Sequence, residues 1–88
     1  MDEPLRVDGL DSVRVSDGEI VTTPDGTTHY LNGMASLIYE LCDGRPLSSI
    51  AASVETIFDL PSDDAASLVD QAVGEMREKG LVAEIPRS

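Results

Sequence analysis

The sequence predicts an α+β fold of winged helix-turn-helix-like type, with a three-stranded antiparallel sheet followed by three helices. Three observations predict it. Polar and apolar residues alternate in the first third of the chain, the period of half-buried strands. Turn signals, Asp17-Gly18 and Pro24-Asp25-Gly26, divide that region into short pieces. From Asn32 onward the apolar residues switch to i, i+3, i+4, i+7 spacing, which is helical.

The first strand is predicted at Ser12-Val13-Arg14-Val15-Ser16, by strict alternation. The return strand is Glu19 to Thr23, rich in the β-branched residues Ile20, Val21, Thr22 and Thr23. The third is Thr27-Thr28-His29-Tyr30-Leu31. Asn32 is a good N-cap, and Met34, Leu37, Ile38 and Leu41 mark helix one over Gly33 to Cys42, stopped by Gly44. Helix two is expected to be capped by Ser48 or Ser49. Its stripe is Ile50, Ala51, Val54, Ile57 and Phe58, and it ends at Leu60-Pro61 because a residue before proline disfavours helix. Ser62, Asp63 and Asp64 open helix three with a cap and negative charge at the positive helix end. Ala65, Leu68 or Val69, Ala72, Val73 and Met76 form its stripe, and Lys79-Gly80 close it. Leu81 to Ile85 reads as an extended tail or a final strand.

The chain has 88 residues, enough for a single domain over 1–88 with residues 1–10 as a flexible arm. Apolar residues make up 41%, and the aromatics are only Phe58, Tyr30 and Tyr39, so an aliphatic core is expected. The net charge of -11, from 17 acids against 6 bases, opposes nucleic acid and anionic membrane as partners. It suits a peptide or protein partner. Cys42 is the only cysteine, so no intramolecular disulfide is available. The acidic start Met1-Asp2-Glu3-Pro4 has no apolar signal core, and a cytoplasmic location is expected.

Residues that carry chemistry are sparse, and neither an enzyme nor a cofactor or metal is expected. His29 is the only histidine and has no nucleophile and orienting acid beside it in the pattern. Cys42 adjoins an apolar stripe and sits between Glu40 and Asp43, the wrong surroundings for a thiolate. Asp63-Asp64 reads as helix-end charge, since no loop follows a calcium-site pattern. Arg77 and Lys79 compensate the helix dipole, and Arg77 is also a candidate for an acidic side chain of a ligand.

His29-Tyr30-Leu31-Asn32-Gly33-Met34-Ala35-Ser36-Leu37-Ile38-Tyr39-Glu40-Leu41-Cys42-Asp43-Gly44 resembles the strand, Leu-Asn, helix and Asp-Gly turn of the PqqD family. Pro46-Leu47-Ser48-Ser49-Ile50-Ala51 resembles that family's second helix start, and Met76, Gly80, Leu81 and Val82 its helix three ending. The resemblance runs from about Ser12 to Val82. Members often carry an acid before the valine of helix three; here that place is Leu68 before Val69, which implies a more apolar groove. The resemblance implies a stand-alone recognition element for ribosomally made, post-translationally modified peptides. The precursor's leader would add as a strand beside the third strand, in a groove walled by helix three. The implied partners are maturation enzymes: radical S-adenosylmethionine enzymes, or leader proteases in similar stand-alone lasso-peptide proteins.

Strand physics points the same way. An edge strand offers unpaired N–H and C=O groups, and alternate side chains supply selectivity. The candidate peptide-binding residues are Thr27, Thr28, His29, Tyr30 and Leu31 on the strand and Leu68, Val69, Ala72, Val73, Met76 and Arg77 on helix three. Thr28 and Tyr30 share one face; Thr27, His29 and Leu31 share the other. Val73→Asp, or a proline at His29, is expected to abolish binding. A winged-helix DNA-binding regulator and a dimerisation or scaffold module are the rival readings. The edge that takes a peptide would also pair with a second copy, so a homodimer stays open.

Overall fold

The computed structural model describes residues 3–85. The element order is β1 (Glu3–Arg6), β2 (Asp11–Val15), β3 (Gly18–Thr22), β4 (Thr28–Asn32), α1 (Gly33–Leu41), α2 (Leu47–Phe58), α3 (Ser62–Glu78) and β5 (Val82–Ile85). The predicted antiparallel meander is β2-β3-β4, with β4 at one edge, and it is followed by the three helices. A second, two-stranded sheet joins β1 to β5.

The meander follows from its turns. At Thr23 to Thr27 the Thr23 carbonyl accepts from the Gly26 amide (2.9 Å), and Gly26 takes φ +88°, a conformation that side chains disfavour. Val21 pairs with His29 and Glu19 with Leu31 across β3–β4. Gly18 lies so close to β4 that a Cβ there would sit 1.9 Å from the Leu31 carbonyl oxygen. The helices cover one face of this sheet, with α1 against β3 and β4 and α3 against α2, α1 and β5.

The core is aliphatic, as composition predicts: Val21, Leu31, Ile38, Ile50, Val54, Val69, Val73, Met76 and Leu81 are all buried, with Tyr39 the aromatic exception. Cys42 belongs to it. Its thiol donates to the Ile38 carbonyl (3.1 Å), and burial pushes its pKa up to about 11. One polar pair is buried with the core: the Ser36 hydroxyl donates to the Glu19 carboxylate (2.6 Å), tying α1 to β3.

Two local expectations change. Residues 3–6, expected in a flexible arm, form β1. Pro4 is fully buried, its carbonyl accepts from the Gly44 amide (2.9 Å), and the Arg6 amide donates to the Cys42 carbonyl (2.8 Å). Neither Ser48 nor Ser49 caps α2, and Ser62 does not cap α3. Pro46 and Pro61 hold those N-cap places without a side-chain bond, and for α2 the Pro46 carbonyl accepts from the Ser49 and Ile50 amides. By contrast Asn32 caps α1 as expected, its side-chain oxygen accepting from the Ala35 amide (2.9 Å). α3 closes at Gly80: the Leu81 amide donates to Met76 and the Gly80 amide to Arg77, which seats Leu81 on Met76 in the core.

Candidate peptide-binding site

β4 is an edge, and its register decides which backbone groups are open. The Thr23 amide donates to the Thr27 carbonyl (2.9 Å), so these two form a hydrogen-bonded pair. Such pairs alternate along an antiparallel ladder, so Val21↔His29 and Glu19↔Leu31 are bonded inward as well. The amide and carbonyl of Thr28 and Tyr30, and the amide of Asn32, therefore point outward. Among the described residues no strand covers them.

Side chains alternate as the sequence predicts. Thr28 and Tyr30 are exposed on the outer sheet face, while His29 is half-buried and Leu31 fully so. The Tyr30 hydroxyl donates to the Asp17 carbonyl (3.3 Å). Partial desolvation, with that bond, raises the phenol's pKa, so it stays protonated.

Two clefts flank the open edge. The first, about 180 Å³, lies between the α1 start and α3, lined by Asn32, Met34, Ala35, Ile38, Leu68, Gln71, Ala72 and Glu75. The second holds Val7, Leu10, Pro24, Asp25, Thr27 and His29 on one side and Glu78, Lys79 and Gly80 on the other. The Asn32 end of β4 thus faces Leu68 to Glu75, and the Thr27 end faces Glu78 to Gly80. β4 and α3 run in opposite directions along one groove. At the second cleft Asp25 accepts from the Thr23 hydroxyl and the Thr27 amide, and these bonds, the hydroxyl's first, lower its pKa.

The sequence-predicted residues separate into groups. Leu68 and Ala72 line the first cleft, and Thr27 and His29 the second. Val69, Val73 and Met76 are 1%, 4% and 2% exposed and pack inward with Leu31, so they support the wall without facing the cleft. Arg77 is exposed and lines neither cleft. At the second cleft sequence reasoning missed Asp25 and Glu78, and at the first it missed Asn32, Met34, Ala35, Ile38, Gln71 and Glu75 as lining residues. The signal for the last two is spacing: Leu68, Gln71, Ala72 and Glu75 sit at i, i+3, i+4 and i+7 on one helix face. No cluster of three or more metal-ligating side chains exists among the described residues. Nor is any described helix long and apolar enough to cross a membrane.

Solved structures share this architecture. TbiB1 in complex with the TbiA(beta) leader peptide matches with a TM-score of 0.81 at 15% identity, over 94% of this chain and 99% of that one. A lasso peptide synthetase B1 complexed with its leader peptide matches at 0.79 and 20%, over 92% and 98%. The PqqD truncation of Methylobacterium extorquens PqqCD, described as a stand-alone recognition element for ribosomally synthesized and post-translationally modified peptides, matches at 0.69 and 19%, over 91% and 87%. A search of curated proteins gives no match. The family model for coenzyme PQQ synthesis protein D (PqqD) matches residues 10–82, and the chain therefore belongs to the PqqD family.

Proposed function

We propose that this protein is a non-catalytic adaptor that binds the leader of a ribosomally made precursor peptide and presents it to a maturation enzyme. The observation that carries the reading is the open edge of β4 beside two clefts under α3. A leader adding there bonds its main chain to Thr28, Tyr30 and Asn32. Its alternate side chains enter the clefts at Leu68–Ala72 and at His29–Lys79. Similar folds in complex with leader peptides support it. The enzyme that receives the leader is a leader protease or a radical S-adenosylmethionine enzyme, and the adaptor works in the cytoplasm. Without peptide, the same edge offers a surface for a second copy.

Charge weighs against DNA binding. α3 exposes Asp63, Asp64, Asp70, Glu75 and Glu78, and duplex affinity depends on cations meeting phosphates. The test is a titration of isotope-labelled protein with the leader half of the precursor peptide encoded alongside it. Amide shifts at Thr28, Tyr30, Asn32, Leu68 and Ala72, saturating at micromolar or tighter concentration, are expected. Saturable binding that leaves those amides unmoved overturns strand addition, and no binding by the folded protein overturns the adaptor reading.

A further inference from the structure

We infer that the leader taken by this groove is cationic, with one apolar anchor for the Leu68–Ala72 cleft and a Lys or Arg about four residues away for the acidic cleft at the C-terminal end of α3. This inference rests on the strand-addition reading above.

The two clefts differ in kind. Met34, Ala35, Ile38, Leu68 and Ala72 make the first one apolar, and Ile38 is fully buried at its floor. A charge carried onto that apolar floor would lose its water, with Asn32, Gln71 and Glu75 as the only polar lining side chains to replace it. Acids stand along the groove: Glu75 at the rim of the first cleft, Asp25 and Glu78 at the second. Lys79 is the only Lys or Arg lining either cleft among the described residues. Three carboxylates, Asp25, Glu75 and Glu78, thus stand against the single Lys79. Asp25 stays ionised because a hydroxyl and an amide donate to it.

Three of the other cations are engaged outside the two clefts. Arg14 pairs with Glu40, Arg45 with Asp43 (2.8 Å), and the Arg6 guanidinium donates to the Glu40 carbonyl (3.1 Å). A net charge of -11 extends the same field outward and steers cations inward.

Spacing follows from the elements. From the middle of the first cleft on α3 to Lys79 is about 11 Å at helical rise. An extended peptide covers that in about three to four residues, and only even steps return a side chain to the same face. Four is the even step that fits.

The test is selection of peptides of about 12 random residues displayed against the folded protein. Enriched peptides should pair Leu, Ile, Val or Met with Lys or Arg four positions away. A synthetic winner and its Lys→Glu counterpart should differ at least roughly tenfold in Kd, and the gap should shrink in about 1 M salt. Glu75→Gln with Glu78→Gln should narrow the gap to within roughly threefold, since each exposed charge contributes modestly. Glu55→Gln with Asp59→Asn, at the end of α2 and lining neither cleft, changes net charge equally and should leave the gap. Neutral or acidic winners, or a gap that survives in the Glu75/Glu78 variant, overturn the charge inference and leave strand addition standing. No enrichment, or winners that do not shift Thr28, Tyr30 and Asn32, overturn both.

Discussion

Replacing Tyr30 by proline separates the open edge from everything else that β4 does. The Tyr30 amide points outward, so its loss breaks no bond to β3. Proline's fixed φ is tolerated on an edge strand whose amide faces outward. The variant also loses the 3.3 Å bond from the Tyr30 hydroxyl to Asp17, an exposed contact worth little, and Tyr30→Ala controls for it. A peptide that adds to the edge loses one main-chain hydrogen bond, about 0.5–1.5 kcal/mol net. The pyrrolidine ring also stands where the incoming strand must approach. Together these weaken binding about tenfold or more, equivalent to about 1.4 kcal/mol. His29→Pro is the instructive contrast. Its amide is in the ladder with Val21, so proline there removes a ladder hydrogen bond and leaves the Val21 carbonyl unpaired, at a cost of about 1–3 kcal/mol of stability. The assay is fluorescence anisotropy with a labelled leader peptide, beside a thermal melt of each variant. A Tyr30→Pro protein that melts like Tyr30→Ala and binds with the same Kd refutes the outward register, and with it strand addition at this edge.

Ala72→Asp should fold, since Ala72 is only half-buried at the cleft, and should weaken leader binding by more than roughly tenfold in the same titration. Val73→Asp, expected from the sequence to test the groove, buries an unpaired charge in the core and should instead unfold the domain, at a cost of about 4 kcal/mol or more by denaturant melt. Ser36→Ala strands the buried Glu19 carboxylate; a loss of about 2–3 kcal/mol should lower Tm by roughly 10–20 °C, and a drop under about 2 °C would show the pair to be idle. Cys42 has a folded pKa raised to about 11 from an ordinary value near 9, so the unfolded chain loses its proton first. Stability should therefore fall between pH 9 and 11, by up to about 3 kcal/mol, and Cys42→Ala should flatten that part of the profile.

The meander and the α1 cap were legible because their causes are local. Pro24-Asp25-Gly26 and Asn32 act on neighbours a few residues away, and so does the first turn, one place earlier than Asp17-Gly18 predicts: the turn is Ser16-Asp17, and Gly18 already pairs with Val15 as the first residue of β3. β1 was not legible: four residues containing a proline carry no period, and their partners at Val82–Ile85 lie at the other end of the chain. The serine caps failed because Pro46 and Pro61 already hold the N-cap positions of α2 and α3. On α3 the apolar stripe is wide enough to serve both core and cleft. Spacing alone cannot divide Val69, Val73 and Met76 from Leu68 and Ala72, which a rotation of about 100° per residue sends to different neighbours. Gln71 and Glu75 escaped because a search for an apolar wall passes over the polar residues that edge it.

Pairing β1 with β5 brings Glu3 opposite Ile85, the longest closure among the described residues, and the Cys42–Gly44 turn lies against β1. Closures of that length come late in folding and open early. When they open, the Arg6 amide leaves the Cys42 carbonyl and a thiol that is otherwise sealed meets solvent. Cys42 then keeps time for the latch: its labelling rate, followed with and without peptide, would report how often the two ends of the domain part, by a signal independent of the groove.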